Sequence, residues 1–368
     1  MVALVHLIAG ARPNFMKIAP IVRALDARAD AFRYRIVHTG QHYDKQMSDV
    51  FFEELGIPEP DRHLDAGGGT HAEQTAKIML AYEQVVAEER PDITVVVGDV
   101  NSTVACSLVA KKLHIPVAHV EAGLRSGDRR MPEEINRLVT DAISDLYFAT
   151  EPAGVDNLLA EGKDRSTVHF VGHVMVDNLL FQLDRLQQQD RSNMVSEGLK
   201  ATRDRYGVVT LHRPSNVDDP AVLSSIISAL GHIAEQLPLV FPVHPRTRKN
   251  LEAAKIEVPD TISLSGPMSY MEFLNLWRDA ALVLTDSGGL QEETTALQVP
   301  CLTLRENTER PVTISEGTNQ LVGNDPTAIK AAAAEVLAGR GKAGRRPELW
   351  DGHAAERIVE HIAKTMAS

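Results

Sequence analysis

The sequence lacks the signatures of several large enzyme classes. No GxGxxG follows the first apolar run, and neither GxxxxGK(S/T) nor GxSxG occurs anywhere in the chain. These absences argue against a dinucleotide fingerprint, a P-loop and the nucleophile elbow of α/β-hydrolases. The 14 histidines and two cysteines show neither CxxC nor HExxH spacing, so we predict no metal site and no other cofactor.

Cysteine is scarce, and the chain lacks an excess of basic charge and long apolar runs. Cys106 and Cys301 lie in apolar surroundings, which is typical of reduced, buried thiols in a cytoplasmic protein. The net charge of -12 argues against non-specific binding to nucleic acid or anionic membranes. No window approaches the roughly 18 apolar residues of a membrane span, and no cleavable leader is recognisable. We therefore expect a cytoplasmic protein without membrane or nucleic-acid partners.

The chain does contain a regular alternation of short apolar runs and helix-length segments. The runs are VALVHLIAG, YRIVHTG, ITVVVGD, PVAHVEAG, LYFAT and VHFVG, then GVVTLHR, LVFPVH, ISLSG, ALVLTD, PCLTLR and NQLVG. Between them, residues 132–143 place apolar side chains at i, i+3, i+4, i+7 and i+8, which predicts a helix beginning at Pro132. Apolar strands separated by helices are typical of parallel sheets covered on both faces.

We predict an α/β fold of two Rossmann-like domains whose parallel sheets face a central cleft. The length of 368 residues exceeds that of one ordinary core. The N-terminal domain is expected to span residues 1–171 and the C-terminal domain residues 172–351. The amphipathic segment 352–368 is expected to pack back on the N-terminal domain.

Ionisable residues recur where the predicted strands end, and ligands of open α/β sheets bind beyond those ends. In the first half, Asp99 and Glu121 end strands, and Glu133 and Glu134 begin a helix. Each acid alone has a structural explanation, as a helix cap, an ion-pair partner or a favourable charge near a helix N-terminus. Their combination favours a site that transfers protons.

The second half has the residues of an anion site. Ser287, Gly288 and Gly289 follow an apolar run and begin a helix. The glycines let a phosphate approach backbone N–H groups, and Ser287 can cap the helix. Positive charge can come from His212, His244, Arg246 and Arg310.

A series of motifs carries a family resemblance across the chain from Gly10 to Pro311. They are GARPNFMKIAPI, TGQHYD, GDVNST, HVEAGLRSGD, PEEINR, TLHRPSN, PVHPR, TDSGGLQEE and ENTERP. The chain resembles the non-hydrolysing UDP-N-acetylglucosamine 2-epimerases. The resemblance implies two domains of the glycosyltransferase B type, a homodimer, a role in polysaccharide biosynthesis, and interconversion of UDP-GlcNAc and UDP-ManNAc.

The chemistry at C2 agrees with this resemblance. The C2 proton of a hexose is not acidic, because no carbonyl adjoins C2, so the enzyme must oxidise C3 or expel the nucleotide at C1. Oxidation needs a dinucleotide, whose fingerprint is absent. The family reaction is anti elimination of UDP to a 2-acetamidoglucal, then re-addition with the proton returned on the opposite face. It requires several proton-transfer groups and stabilisation of the departing diphosphate.

The resemblance also assigns roles to residues at matching positions. The expected catalytic residues are Asp99, Glu121, Glu133 and His212. The expected ligands of the UDP-sugar are Arg12, Lys17, His244, Arg246, Phe273, Ser287, Gly288, Gly289, Glu293 and Arg310. Glu293 is expected to bind the ribose hydroxyls, with Glu292 as the alternative, and Phe273 to line the uracil site.

Two stretches depart from the family pattern. Many bacterial members have HRRE where this chain has His212-Arg213-Pro214-Ser215, and an arginine where it has GGGTHAE at residues 67–73. In those members both regions bind a second, activating UDP-GlcNAc, so the resemblance does not extend to that site. The alternatives are a 2-epimerase of a UDP-diacetamido sugar or uronate, a hydrolysing epimerase that releases ManNAc and UDP, a glycosyltransferase of the same fold, and a nucleotide-sugar sensor.

Overall fold

The chain divides into two compact units. The computed structural model describes residues 2–40 and 52–367, and only the backbone of Arg12. The first unit comprises Met1–Phe181 with Glu348–Ser368, and the second comprises Gln182–Pro347. This division falls inside the helix Val174–Gln188, whereas the predicted boundary lies just before that helix.

A seven-stranded parallel sheet forms the centre of the first unit, in the order β3-β2-β1-β4-β5-β6-β7. Its strands are β1 (Ala3–Ala9), β2 (Phe32–His38), β3 (Arg62–His63), β4 (Ile93–Val97), β5 (Val117–Val120), β6 (Leu146–Ala149) and β7 (Val168–Phe170). The short polar strand β3 was not predicted, because two residues carry no periodic pattern.

Helices cover both faces of this sheet. They are α1 (Arg12–Asp26), α2 (His71–Glu88), α3 (Asn101–Lys112), α4 (Pro132–Ile143), α5 (Pro152–Ala160) and α6 (Val174–Gln188). The predicted helix over residues 132–143 is confirmed as α4. Strands β4, β5 and β6 are buried along their whole length, as continuous apolar runs predict for strands covered on both sides.

The second unit repeats the same plan with six parallel strands, in the order β10-β9-β8-β11-β12-β13. These are β8 (Gly207–Thr210), β9 (Leu239–Pro242), β10 (Ile262–Ser265), β11 (Leu282–Thr285), β12 (Cys301–Thr303) and β13 (Asn319–Leu321). Its helices are α7 (Val195–Ala201), α8 (Pro214–Val217), α9 (Pro220–Ala234), α10 (Pro245–Ala253), α11 (Tyr270–Trp277), α12 (Gly288–Leu297), α13 (Pro311–Ser315) and α14 (Pro326–Leu337).

The chain ends in α15 (Ala354–Ala367), which belongs to the first unit. Ala355, Ile358 and Ile362 are buried in the same cluster as Phe15 and Ile18 of α1, on one face of the sheet. In the described parts of the chain, no helix combines the length and the apolar character needed to cross a bilayer.

Both sheets reverse their strand order at one place, between β1 and β4 in the first unit and between β8 and β11 in the second. Ligands of such sheets bind beyond the strand ends at this switch point. The predicted α/β class with two Rossmann-like units is confirmed. Of the predicted site residues, Asp99, His212 and Ser287 lie in the loops after β4, β8 and β11.

Candidate active site

Asp99 follows β4 and forms an ion pair with α4. Its Oδ2 lies 2.5 Å from Nη2 of Arg137, and the Asp99 side chain remains 25% exposed. Asn136 donates through Nδ2 to the backbone carbonyl of Asp99 at 2.9 Å. The N-cap residue of α3 is Val100, so Asp99 does not cap that helix. Its carboxylate is therefore oriented by Arg137, which lies 38 residues further along the chain.

Glu121 follows β5 in a backbone conformation that residues with side chains rarely adopt, with φ of 69°. Its Oε2 accepts a hydrogen bond from Lys17 Nζ at 2.6 Å, and 2% of the Glu121 side chain is exposed. A Cβ at Gly98 would lie 2.9 Å from Lys17 Nζ and 3.7 Å from Glu121 Oε2. Glycine therefore lets the turn before Asp99 approach this pair, so the structure brings Asp99, Glu121 and Lys17 together.

Two adjacent acids in the first turn of α4 have different surroundings. Glu134 is buried and accepts from the backbone N–H groups of Ser126 and Gly127, at 2.9 and 3.0 Å, and from Arg137 Nη1 at 2.7 Å. Burial alone would raise the pKa of Glu134, but these donors outweigh it and hold the pKa below its ordinary value. Glu133 is exposed and makes no hydrogen bond or ion pair with the described residues. The structure thus gives Glu134 a structural role and leaves Glu133 accessible.

Asp286 joins the ends of two strands in the second unit. Its buried carboxylate follows β11 and accepts from the backbone N–H groups of His212 and Arg213, just after β8, at 3.0 and 2.9 Å. His212 Nδ1 lies 2.9 Å from Asp286 Oδ1. Burial would raise the pKa of Asp286, but these donors outweigh it and lower the pKa. The pair holds the imidazole with Nε2 directed away from Asp286.

Ser287, Gly288 and Gly289 form the predicted turn from β11 into α12. Ser287 is the N-cap residue, but its side chain makes no capping hydrogen bond, contrary to expectation. Among the described residues, a Cβ at Gly289 would meet no atom within 4 Å, and one at Gly288 would meet only Glu309 Oε1, at 3.3 Å. Packing within the unit therefore does not require these glycines, and the open helix N-terminus suits an anion.

Glu292 and Glu293 of α12 also differ from each other. Tyr270 donates its hydroxyl to Glu293 Oε1 at 2.9 Å. Burial raises the pKa of Glu293 to about 7, with Glu292 adding to the rise and Tyr270 opposing it. Glu292 Oε1 lies 2.5 Å from Arg310 Nε, and both side chains are largely buried. Arg310 is thus held by an acid of its own unit.

The remaining predicted ligands of the second unit lie in α10 and α11 or at their ends. His244 caps α10, because its Nδ1 accepts from the backbone N–H of Arg246 at 3.3 Å. The exposed Arg246 donates through Nε to Asp218 at 2.9 Å, so its charge is already paired. Phe273 is partly buried in α11. The binding roles of these residues stay predictions.

Two predicted features lie outside the described residues. They are the side chain of Arg12 and the part of TGQHYD at residues 41–44. Within residues 2–40 and 52–367, no group of three or more His, Cys, Asp or Glu side chains is arranged to hold a metal ion.

Three residues that orient the predicted site residues or their turns were not among the predicted site residues. Arg137 holds Asp99, Asp286 holds His212, and Asp141 of α4 accepts from the backbone N–H of Gly123 after β5, at 3.0 Å. Arg137 ends the motif PEEINR, and Asp286 begins the run DSGG. The place of Arg137 and Asp286 within these motifs was therefore the sequence signal that could have identified them.

Comparison with known proteins decides the family. The chain matches the UDP-N-acetylglucosamine 2-epimerase family over residues 23–363. The chain belongs to that family. The family predicted from the motifs is thus confirmed, and this epimerase-family member is an enzyme that acts at C2 of a UDP-sugar.

Two relatives named for different substrates align with nearly the whole chain. The UDP-N-acetylglucosamine 2-epimerase of Methanocaldococcus jannaschii is 43% identical over 360 residues, covering 96% of this chain and 97% of the relative. The UDP-2,3-diacetamido-2,3-dideoxy-D-glucuronate 2-epimerase of Pseudomonas aeruginosa is 41% identical over 360 residues, covering 97% and 98%. A crystal structure of Methanocaldococcus jannaschii UDP-GlcNAc 2-epimerase in complex with UDP-GlcNAc and UDP matches with a TM-score of 0.85 at 41% identity, covering 98% of this chain and 99% of that chain.

Proposed function

We propose that this enzyme interconverts UDP-GlcNAc and UDP-ManNAc by epimerisation at C2. The observation that carries the proposal is the grouping of Asp99, Glu121 and the start of α4, which contains Glu133, at one edge of the first sheet. Inversion at C2 requires a proton to leave one face of the sugar and to return on the other. Several carboxylates around one carbon suit that task.

The proposed reaction begins with an anti elimination. A carboxylate takes the C2 proton, and the electron pair of the C–H bond forms a double bond between C1 and C2. The C1–O bond breaks, and its electron pair leaves on the UDP oxygen. UDP then adds back to C1 of the 2-acetamidoglucal while a proton returns to the other face of C2. The cycle consumes neither water nor an oxidant.

The second unit has the features needed to bind the departing UDP. Gly288 and Gly289 leave the N-terminus of α12 open, so its backbone N–H groups and the positive end of the helix dipole are accessible to a diphosphate. His212, oriented by Asp286, is beside this helix start. Preorganised donors of this kind stabilise negative charge as it develops in a transition state.

A UDP-2,3-diacetamido uronate is the second candidate substrate. It is favoured by the 41% identity to the Pseudomonas aeruginosa enzyme, which is named for such a sugar. The elimination is chemically the same, because the substituents at C3 and C6 take no part in it. Contacts to those two positions would decide between the candidates.

The protein should be incubated in D₂O with UDP-GlcNAc alone and, separately, with the diacetamido uronate, and each reaction followed by NMR. Appearance of UDP-ManNAc with deuterium at C2 is the expected result. Exchange confined to the uronate would select the second candidate, whereas release of free ManNAc would identify a hydrolysing enzyme. No change in either sugar would refute a 2-epimerase activity on both.

Three further expectations accompany this proposal. They are assembly as a homodimer, a cytoplasmic location, and a place in polysaccharide biosynthesis. Each derives from the family resemblance or from composition, and each stays a prediction.

A further inference from the structure

A buried histidine–aspartate pair bonds to the two turns that contain or adjoin Asp99 and Glu121. His119 Nδ1, in β5, is 2.6 Å from Asp141 Oδ1, in α4, and both side chains are fully buried. The other ring nitrogen, Nε2, lies 2.9 Å from the backbone carbonyl of Gly98. The elimination described above assigns no role to either residue.

The partners of His119 determine its protonation. A carbonyl oxygen can only accept a hydrogen bond, and so can an ionised carboxylate, so both ring nitrogens must carry a proton. Arg125 Nη1 lies 2.7 Å from Asp141 Oδ2 and favours the ionised form of that acid. Burial would lower the pKa of His119, but Asp141, the Gly98 carbonyl and the charge of Glu121 outweigh it and raise the pKa. His119 is therefore an imidazolium that donates in two directions.

The same pair bonds to the turn before Asp99 and to the turn after β5. Only the second contains a strained residue, Glu121, because glycine adopts positive φ readily. Gly98, Glu121 and Gly123 all have positive φ, of 67°, 69° and 82°. His119 donates to the first turn at Gly98, and Asp141 Oδ2 accepts from Gly123 N–H in the second, at 3.0 Å. Backbone in sparsely populated conformations persists only where its surroundings hold it in place.

We propose that His119 and Asp141 are positioning residues that hold Asp99 and Glu121 in the geometry needed for proton transfer at C2. The inference rests on the proposed function, because it concerns the same carboxylates. Asp99 directly follows the Gly98 turn, and Glu121 begins the turn that ends at Gly123. Loosening either turn would displace a carboxylate from C2 without removing it.

Misplacement of a reacting group by about 1 Å costs roughly 10²-fold in rate. Loss of the His119 bonds should therefore lower kcat by about 10²-fold. KM should stay nearly constant, because the nucleotide is bound by residues of the second unit. A residue needed only for folding would lower the amount or the stability of folded enzyme and leave kcat per folded molecule unchanged.

The test compares His119→Gln with His6→Gln. His6 is also fully buried in the first sheet, in β1, but it bonds to Tyr82, with 3.2 Å between Nδ1 and the hydroxyl oxygen, and among the described residues it makes no hydrogen bond to either turn. Glutamine at residue 119 is neutral, and its donors sit on one nitrogen, so they cannot take the places of both ring nitrogens. Asp141 would still face Arg125, so the variant should fold.

Wild type and both variants should be assayed for kcat, KM and melting temperature with UDP-GlcNAc and with the diacetamido uronate. We expect kcat per folded molecule of His119→Gln to fall about 10²-fold below that of His6→Gln at similar KM, measured well below the lower of the two melting temperatures. Equal kcat in the two variants would overturn the inference and leave the proposed function intact. An inactive wild type would overturn the proposed function itself, and the inference with it.

A second measurement uses only the wild-type enzyme. In ¹⁵N NMR spectra of the wild-type enzyme at neutral pH, one fully buried histidine should show two protonated ring nitrogens. His6, whose pKa burial lowers to about 4, should show one. A neutral ring at His119 would overturn the inference, because a neutral ring cannot donate to both turns.

Discussion

Replacement of two neighbouring acids in α4 separates a catalytic role from a structural one. Glu133 is exposed and makes no hydrogen bond or ion pair with the described residues, so Glu133→Gln should change the free energy of unfolding by less than about 0.5 kcal/mol. If Glu133 transfers a proton, turnover of UDP-GlcNAc should nevertheless fall by roughly 10²–10⁴. The loss of turnover would then reflect the missing proton-transfer group, since glutamine keeps the shape of the side chain.

Glu134→Gln should have the opposite profile. Glu134 is 2% exposed, pairs with Arg137 at 2.7 Å and accepts from two backbone N–H groups. Breaking a buried ion pair costs about 3–5 kcal/mol. Glutamine keeps one oxygen acceptor and Arg137 keeps its second partner, Asp99, so we expect the lower end, about 3 kcal/mol. At about 2–4 °C per kcal/mol for a unit of this size, the melting temperature should fall by roughly 6–12 °C.

Both variants should be measured by thermal denaturation and by NMR turnover assays well below the lower melting temperature. Near-normal turnover of Glu133→Gln would refute its assignment as a proton-transfer group. An unchanged melting temperature of Glu134→Gln would refute the stabilising role of its pair with Arg137. If Glu134→Gln alone lost turnover while remaining stable, the roles of the two acids would have to be exchanged.

Three other changes test the remaining assignments. Asp99→Asn should lower turnover and C2 deuterium exchange together by roughly 10²–10⁴, with UDP affinity by calorimetry almost unchanged; near-normal turnover with a lower melting temperature would make Asp99 structural. Gly289→Val should weaken UDP binding by about two orders of magnitude, or about 2.7 kcal/mol, while Gly198→Val, at an equally open helical glycine, leaves it unchanged; equal affinities would remove the helix start from the site. The pKa of Glu293 rises on folding from 4.5 to about 7, so the folded state binds the extra proton and loses stability as pH rises through this range. At pH 5 Glu293→Gln should therefore melt at about the same temperature as the wild type. At pH 9 its free energy of unfolding should be higher than that of the wild type by up to about 3 kcal/mol. A difference that does not change with pH would contradict the pKa shift.

The alternation of strands and helices could be predicted from sequence because the relevant patterns are local. The apolar runs are buried on both faces whatever packs on them, and the periodicity of residues 132–143 places one helix face inward. Since parallel strands share one carboxyl edge, the runs that end on Asp99, Glu121 and Ser287 also predicted where sites would be found. These inferences need only the spacing of residue types along the chain.

The different surroundings of the acids are determined only by the tertiary structure. Glu133 and Glu134 are adjacent and identical in type, yet the second alone meets Arg137. Lys17 reaches Glu121 across 104 residues, and Arg137 reaches Asp99 across 38. The environment of a carboxylate is set by the cations and N–H groups that folding brings within about 3 Å of it. Such partners come from distant segments, and no local pattern in the sequence records their approach.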